Sequence, residues 1–168
     1  PAMIGAFVAY FTSHTLGLEK FEVNLNQTIN MTDAKNGIAI IVLGIAFGIV
    51  GRLFSVLLQK SKIFMSEKIA NPYMRIGIIS IPLAICLLFI FSGRYTGLGT
   101  NLISEALGGN EVYYYDWILK LLFTIVTLAI GFQGGEVTPL FSIGATLGVA
   151  LGSLFGISPI VCGALGYA

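Results

Sequence analysis

The stretch that most limits what this chain can become is Gly131-Phe132-Gln133-Gly134-Gly135-Glu136-Val137-Thr138-Pro139, which runs straight into the apolar segment Leu140 to Leu154. Glycine permits the unusual dihedrals of a tight loop, so the amides from Gly134 to Val137 can point together. Thr138 is a good N-cap and Pro139 a good first helical residue, so a helix is expected to open here. The first amides of a helix have no partner within it, and the helix dipole places partial positive charge there. That is a place for an anion. On a soluble protein, water would satisfy such amides. Within a membrane, a broken helix end has to line a cavity or a pathway.

Composition decides between those two settings. The 168 residues are 56% hydrophobic and 10% charged, with a mean hydropathy of +0.90, whereas a soluble domain carries about 25% charged residues. An all-α, multi-pass integral membrane protein in a lipid bilayer is expected. Strand-like alternation is absent, which argues against an outer-membrane barrel. A formal charge of +1 is too small to argue for a nucleic-acid partner. Cys86 and Cys162 lie inside apolar runs and read as small buried hydrophobes, not as a disulfide or a metal pair. No signal-peptide pattern is read at the start. Pro1 opens the chain close to one apolar run and Ala168 closes it within another, which suggests a segment of a longer protein.

In chain order, Ala2 to Leu18 is apolar apart from Thr12, Ser13, His14 and Thr15. It is at the short end for a span of about 17 to 25 residues. Residues 19–36 are polar, with Asn24, Asn26, Asn30 and Asn36, and predict a loop whose Thr32 and Asp33 are placed to cap the next helix. Gly37 to Gln59 predicts a spanning helix. Its Gly44, Gly48 and Gly51 offer a bare face to a close neighbour, and Arg52 is expected at a vestibule or in an ion pair. Gln59 to Arg75 predicts a basic connection, with Lys60, Lys62, Lys68 and Arg75 against Glu67. Excess lysine and arginine place this 59–75 loop in the cytoplasm and the 19–36 loop outside.

Ile76 to Phe91 predicts the next span, kinked at Pro82. A second glycine-rich loop, residues 93–101, precedes a short helix over Leu102 to Leu107. Residues 108–116 form a polar turn, and Tyr113, Tyr114, Tyr115 and Trp117 suit a membrane interface. Trp117 to Ile130 predicts a further span. In the helix Leu140 to Leu154, Gly144, Gly148 and Gly152 recur every four residues and leave one face of bare backbone. Ser158 to Ala168 begins a last helix. The apolar sequence is thus broken twice by glycine, each time before a helix too short to span comfortably. Such a pair points to a transporter binding site at mid-membrane.

On these residues the chain resembles the CLC family of chloride channels and anion/proton antiporters. Gly135-Glu136-Val137-Thr138-Pro139-Leu140-Phe141-Ser142-Ile143-Gly144 is similar to the family's Gly-x-Phe-x-Pro signature, in which a helix aims its start at the central anion. Gly135 and Pro139 match; Val137 stands where Phe is usual, and Glu136 and Thr138 are not the common occupants. A Gly-Glu-Val-Thr-Pro loop resembles the fluoride/proton antiporter branch. The resemblance implies an inverted-repeat fold with tilted, re-entrant and broken helices. Residues 1–18 would be the last helix of the first repeat, an incomplete one that contributes to a homodimer interface. Residues 37–168 would be part of the second repeat, with the long tilted helix at 37–59 and the short mirror helix within 97–108. It also implies transport of a halide, chloride or fluoride, with protons as a further partner, across a bacterial plasma membrane. The family's first-half anion loop, its gating glutamate and its late tyrosine fall outside this sequence.

The anion-binding candidates are Gly134, Gly135, Glu136, Val137 and Thr138, with Pro139 marking the helix start. The resemblance assigns the ion to the amides of Glu136 and Val137. Aligned N–H donors in a low dielectric offset lost hydration without a fixed positive charge, and weak, distributed coordination lets the ion leave again. The bland alternative is a glycine hinge between packed helices. Glu136 is the only acid from Trp117 onward. It is placed either to take a proton or hydrogen-bond spare amides at mid-membrane, or to turn into a watery vestibule. Thr138 either donates to the halide or caps its helix. Arg94 is expected at an anion entrance or snorkelling to headgroups, and His14 at an interface. No enzyme motif is present, and no cofactor or metal is implied. Two other functions remain: an intramembrane enzyme using Glu136, perhaps with Asp116, and a non-conducting structural subunit.

Overall fold

Helix runs through several glycines in this chain and stops close to one at positive φ, such as Gly17, Gly93, Gly109, Gly131 or Gly156, or at the pair Asn71-Pro72. In the computed structural model, which describes residues 2–17 and 34–168, seven helices are present and no strand is found among the described residues. They are α1 (Ala2–Thr15), α2 (Ala34–Lys68), α3 (Pro72–Phe91), α4 (Thr100–Gly108), α5 (Asp116–Ala129), α6 (Val137–Phe155) and α7 (Pro159–Tyr167). The expected cap at Thr32 and Asp33 lies outside the described residues. Three helices, α2, α3 and α6, contain stretches long and apolar enough to cross a membrane.

The basic connection expected over 59–75 is not a loop. Helix α2 runs 35 residues to Lys68, and only residues 69–71 separate it from α3. Residues 60–68 contain neither glycine nor proline, so nothing in them ends a helix. Charge there marks where the chain leaves apolar surroundings, not where its helix stops. The stop comes at Asn71, whose side chain accepts a hydrogen bond from the Tyr73 amide, with Pro72 at the first helical position. At 1.5 Å per residue α2 is about 50 Å long, far beyond a hydrocarbon core of roughly 30 Å, so it tilts or projects. Arg52 is exposed on α2 and has no ion pair among the described residues, which leaves the vestibule as the expectation for it. Gly44, Gly48 and Gly51 have no neighbour within contact distance, so that bare face is open.

Helix α6 sits at the centre and packs against α2, α4, α5 and α7. Phe54 and Leu58 of α2 meet Leu121, Ile125 and Leu128 of α5 and Ile143 of α6. Ala39 and Leu43 at the other end of α2 meet Ile157 and Cys162. Ala106 of α4 meets Ala145 and Val149. The four-residue glycine ladder of α6 faces α7: a Cβ at Gly144 would overlap the Gly166 carbonyl, and one at Gly148 the Cys162 carbonyl. The two backbones touch, as the small-residue spacing predicts. Both cysteines are free.

The span expected over Trp117–Ile130 forms one residue earlier, as the 14-residue α5, which at about 21 Å is too short to cross a bilayer. The helix expected over 140–154 starts three residues earlier and reaches 19 residues. Helix α3 keeps Pro82 inside it and buries none of its described residues.

Candidate functional site

Both glycine-rich breaks come to one place. The first, residues 92–99, joins α3 to α4; the second, residues 130–136, joins α5 to α6. A cavity of about 350 Å³ lies between them. Its wall includes Tyr95, Thr96, Gly97 and Leu98 from the first break and Phe132, Gly134 and Gly135 from the second, with Ser80 and Leu83 of α3, Lys120 and Thr124 of α5 and Pro139 of α6. The wall is chiefly apolar, the usual character of a ligand pocket with a few placed polar groups.

The first break is held by charge. Ser92 and Gly93, both at positive φ, end α3 and turn the chain. Asp116, fully buried at the start of α5, accepts hydrogen bonds from Tyr95 Oη at 2.5 Å, Arg94 Nη2 at 2.8 Å and the Tyr113 amide at 2.9 Å. Arg94 also pairs with Glu105 at 2.6 Å, donates to the Glu111 carbonyl and lies over the Tyr113 ring. Arg94 is therefore held in a partly buried network. Asp116, expected to end the polar turn, instead opens α5 and is buried. Burial and the Asp116 hydrogen bond together push the Tyr95 phenol well above its ordinary range.

Lys120 completes this network from one turn further along α5. It is 2% exposed, and its Nζ donates to the carbonyls of Gly97 at 2.8 Å and Tyr95 at 3.1 Å. Gly99 lets it in: φ there is +83°, and a Cβ would stand 2.8 Å from Lys120 Cε and 2.6 Å from Ser142 Oγ. Sequence reading singles out Glu136 and passes over Lys120. Its signal is plain, being a lone cation in the apolar run after Trp117, and an ionisable group within such a run marks a functional site by default.

The second break is held lightly. Gly131, at φ +112°, reverses the chain after α5, and Arg75 Nε donates to the Ile130 carbonyl at 2.9 Å, covering one of that helix's unpaired carbonyls. Helix α6 then opens at Val137 with Glu136 in the cap position and no side-chain cap. Thr138 and Pro139 are its second and third residues, so Thr138 is not the N-cap and Pro139 is not the first helical residue. Proline is still tolerated there, because an amide in the first turn has no partner to lose. Among the described residues, the N–H groups of Gly134, Gly135, Glu136, Val137 and Thr138 have no hydrogen-bond acceptor.

The candidate residues divide between two openings. Gly134, Gly135 and Pro139 line the cavity that contains Lys120. Gly134 and Glu136 line a second cleft of about 600 Å³ on the other side of the loop, with Lys62, Ser66, Arg75 and Gln133. Val137 is exposed and Thr138 half-buried, and neither lines either opening. Glu136 pairs with Lys62 at 3.4 Å, both side chains nearly half exposed. No cluster of metal-ligating side chains occurs among the described residues.

Broken helices that meet at a cavity are a construction found in integral membrane proteins, where irregular backbone is tolerated only inside the protein or along a water-filled space. The family model described as "Voltage gated chloride channel" matches residues 1–168. The chain belongs to that family. It superposes on a solved structure of a "CLC-type fluoride/proton antiporter" with a TM-score of 0.92 and 45% identity, over 99% of this chain and 42% of that one. It is also 33% identical over 160 residues to a "Chloride/fluoride channel protein" of Pseudomonas syringae pv. tomato (strain ATCC BAA-871 / DC3000), covering 92% of this chain and 35% of that protein. The chain thus spans well under half the length of either, and its fold is that of the corresponding part of the antiporter.

Proposed function

We propose that the longer protein containing this chain carries halide ions, chloride or fluoride, across a bacterial plasma membrane. The anion is held by the unpartnered amides of Gly134 to Thr138 at the head of α6. One observation carries this reading: that group of open N–H donors stands at a helix start beside a cavity with Lys120 in its wall. A halide has lone pairs and no donor, so converging N–H groups replace its water shell. Lys120 has no carboxylate partner among the described residues; it adds positive potential to the wall and raises the local anion concentration. Fluoride exchanged for protons is the favoured branch, supported by the likeness to the 45% identical fluoride/proton antiporter.

The same reading divides the chain: α1 ends a first repeat and supplies part of a homodimer face, and α2 onward belongs to a second repeat. The basic end of α2, with Lys60, Lys62 and Lys68, then lies on the cytoplasmic side. The enzyme alternative loses its second acid, because Asp116 is engaged by Arg94 and Tyr95. The structural-subunit alternative called for a helix start filled by a neighbouring side chain, and α6 has no side-chain cap.

The test is flux from liposomes containing the full-length protein, with fluoride and chloride compared and proton uptake followed alongside. Fluoride efflux that drives proton entry is the expected result. A Gly135→Leu substitution, which crowds the open amides, should reduce it by at least about tenfold, on the order of one kcal/mol of lost binding. Vesicles that release neither halide overturn the reading.

A further inference from the structure

Lys62 is the one side chain that reaches Glu136 from another helix among the described residues. It does so because α2 does not end where its apolar run ends. Phe54, Leu58 and Lys62 are spaced four residues apart and so share one face of α2. Phe54 and Leu58 dock on α5 and α6, which delivers Lys62 one turn later to the 130–136 loop. The cleft there holds two cations, Lys62 and Arg75, and one anion, Glu136, a formal sum of +1. Arg75 is committed through Nε to the Ile130 carbonyl. The remaining polar side chains on the cleft are Ser66 and Gln133.

A carboxylate at the mouth of an anion site is a liability, since its charge repels the ion that the amides attract. Resting on the halide reading above, we propose that Lys62 is a positioning residue for transport. It holds the Glu136 carboxylate against α2 and cancels its charge, so that the cleft stays attractive to an anion approaching Gly134 and the α6 amides. The pair is half-exposed and 3.4 Å long, which suits a counter-charge that makes little difference to folding. Its effect is on the ion, not on the fold.

The experiment is halide flux against halide concentration for the full-length protein in liposomes, with Lys62→Arg, Lys62→Met and Lys62→Glu. These keep the cleft at +1, reduce it to zero and reverse it to −1, counting Lys62, Arg75 and Glu136. Expected is a graded rise in the half-saturating concentration: none for Lys62→Arg, about fivefold for Lys62→Met and more for Lys62→Glu, with maximal rates little changed. Impermeant salt should shrink the rise, because a partly exposed charge is screened. A purely structural pair would lower the melting temperature and leave half-saturation and its salt dependence alone. If Lys62→Met saturates like the unaltered protein, the Lys62 proposal is overturned while the halide reading stands. If the unaltered protein shows no flux, the halide reading itself is overturned.

Discussion

The two breaks in the helices are built from similar sequence and held in opposite ways. The 92–99 break carries a partly buried arginine and is held by a buried carboxylate and a buried lysine of α5, and its backbone carbonyls at Arg94, Tyr95 and Gly97 all receive side-chain donors. The 130–136 break has one such bond, from Arg75 to Ile130, and one half-exposed ion pair. Its amides are left open. A ligand site needs both kinds: one wall that does not move, and one whose donors are not already used. Closing the 130–136 loop with internal hydrogen bonds would stabilise it and use up the donors that the proposed halide site needs.

The contrast can be broken most forcefully at Asp116. Replacing it by alanine leaves Arg94 with Glu105 as its remaining carboxylate and leaves Tyr95 and the Tyr113 amide without their acceptor. A loss of about 3 kcal/mol is expected, read as a lower melting temperature in detergent. If Asp116→Ala melts like the parent, the first break is not held as described. Lys120→Met comes next. It leaves the Tyr95 and Gly97 carbonyls without their donor, costing roughly 1–3 kcal/mol in thermal unfolding, and it should lower halide flux as well.

Arg75→Met tests the second break, where only the Ile130 carbonyl is orphaned. About 1 kcal/mol or less is expected in the same melting assay. Glu136→Gln should be smallest in stability, under about 1 kcal/mol, since its pair is nearly half exposed. Amide hydrogen exchange sharpens the comparison without mutation. Residues 133–138 should exchange much faster than Ile103 of α4, whose buried amide is bonded to the Gly99 carbonyl beside the first break. Equal protection of the two regions would remove the distinction.

Much of the fold was legible because membranes leave few options. Apolar runs and glycine positions located the cores of the described helices, and the α6 glycine ladder announced the contact with α7 that the Gly144 and Gly148 carbonyl contacts display. What was misread shares one cause. Charge alone suggests a loop or a surface, yet the Lys60–Lys68 segment is helical and Arg94 and Asp116 engage each other. Hydropathy reports transfer from water and is blind to a partner many residues away. Arg94 and Asp116 are 22 apart in sequence, Lys62 and Glu136 74 apart.

Residue order alone was enough to establish a helical membrane chain broken twice by glycine, with one break opening a helix that has spare amides. Those are local matters of backbone freedom and apolar length, written residue by residue. Three further points came only from the packed molecule: both breaks face one cavity, Lys120 stands in its wall, and Glu136 answers to Lys62. Each depends on which helix faces which, and that is settled by packing between distant segments, where charges find the partners that make their burial tolerable.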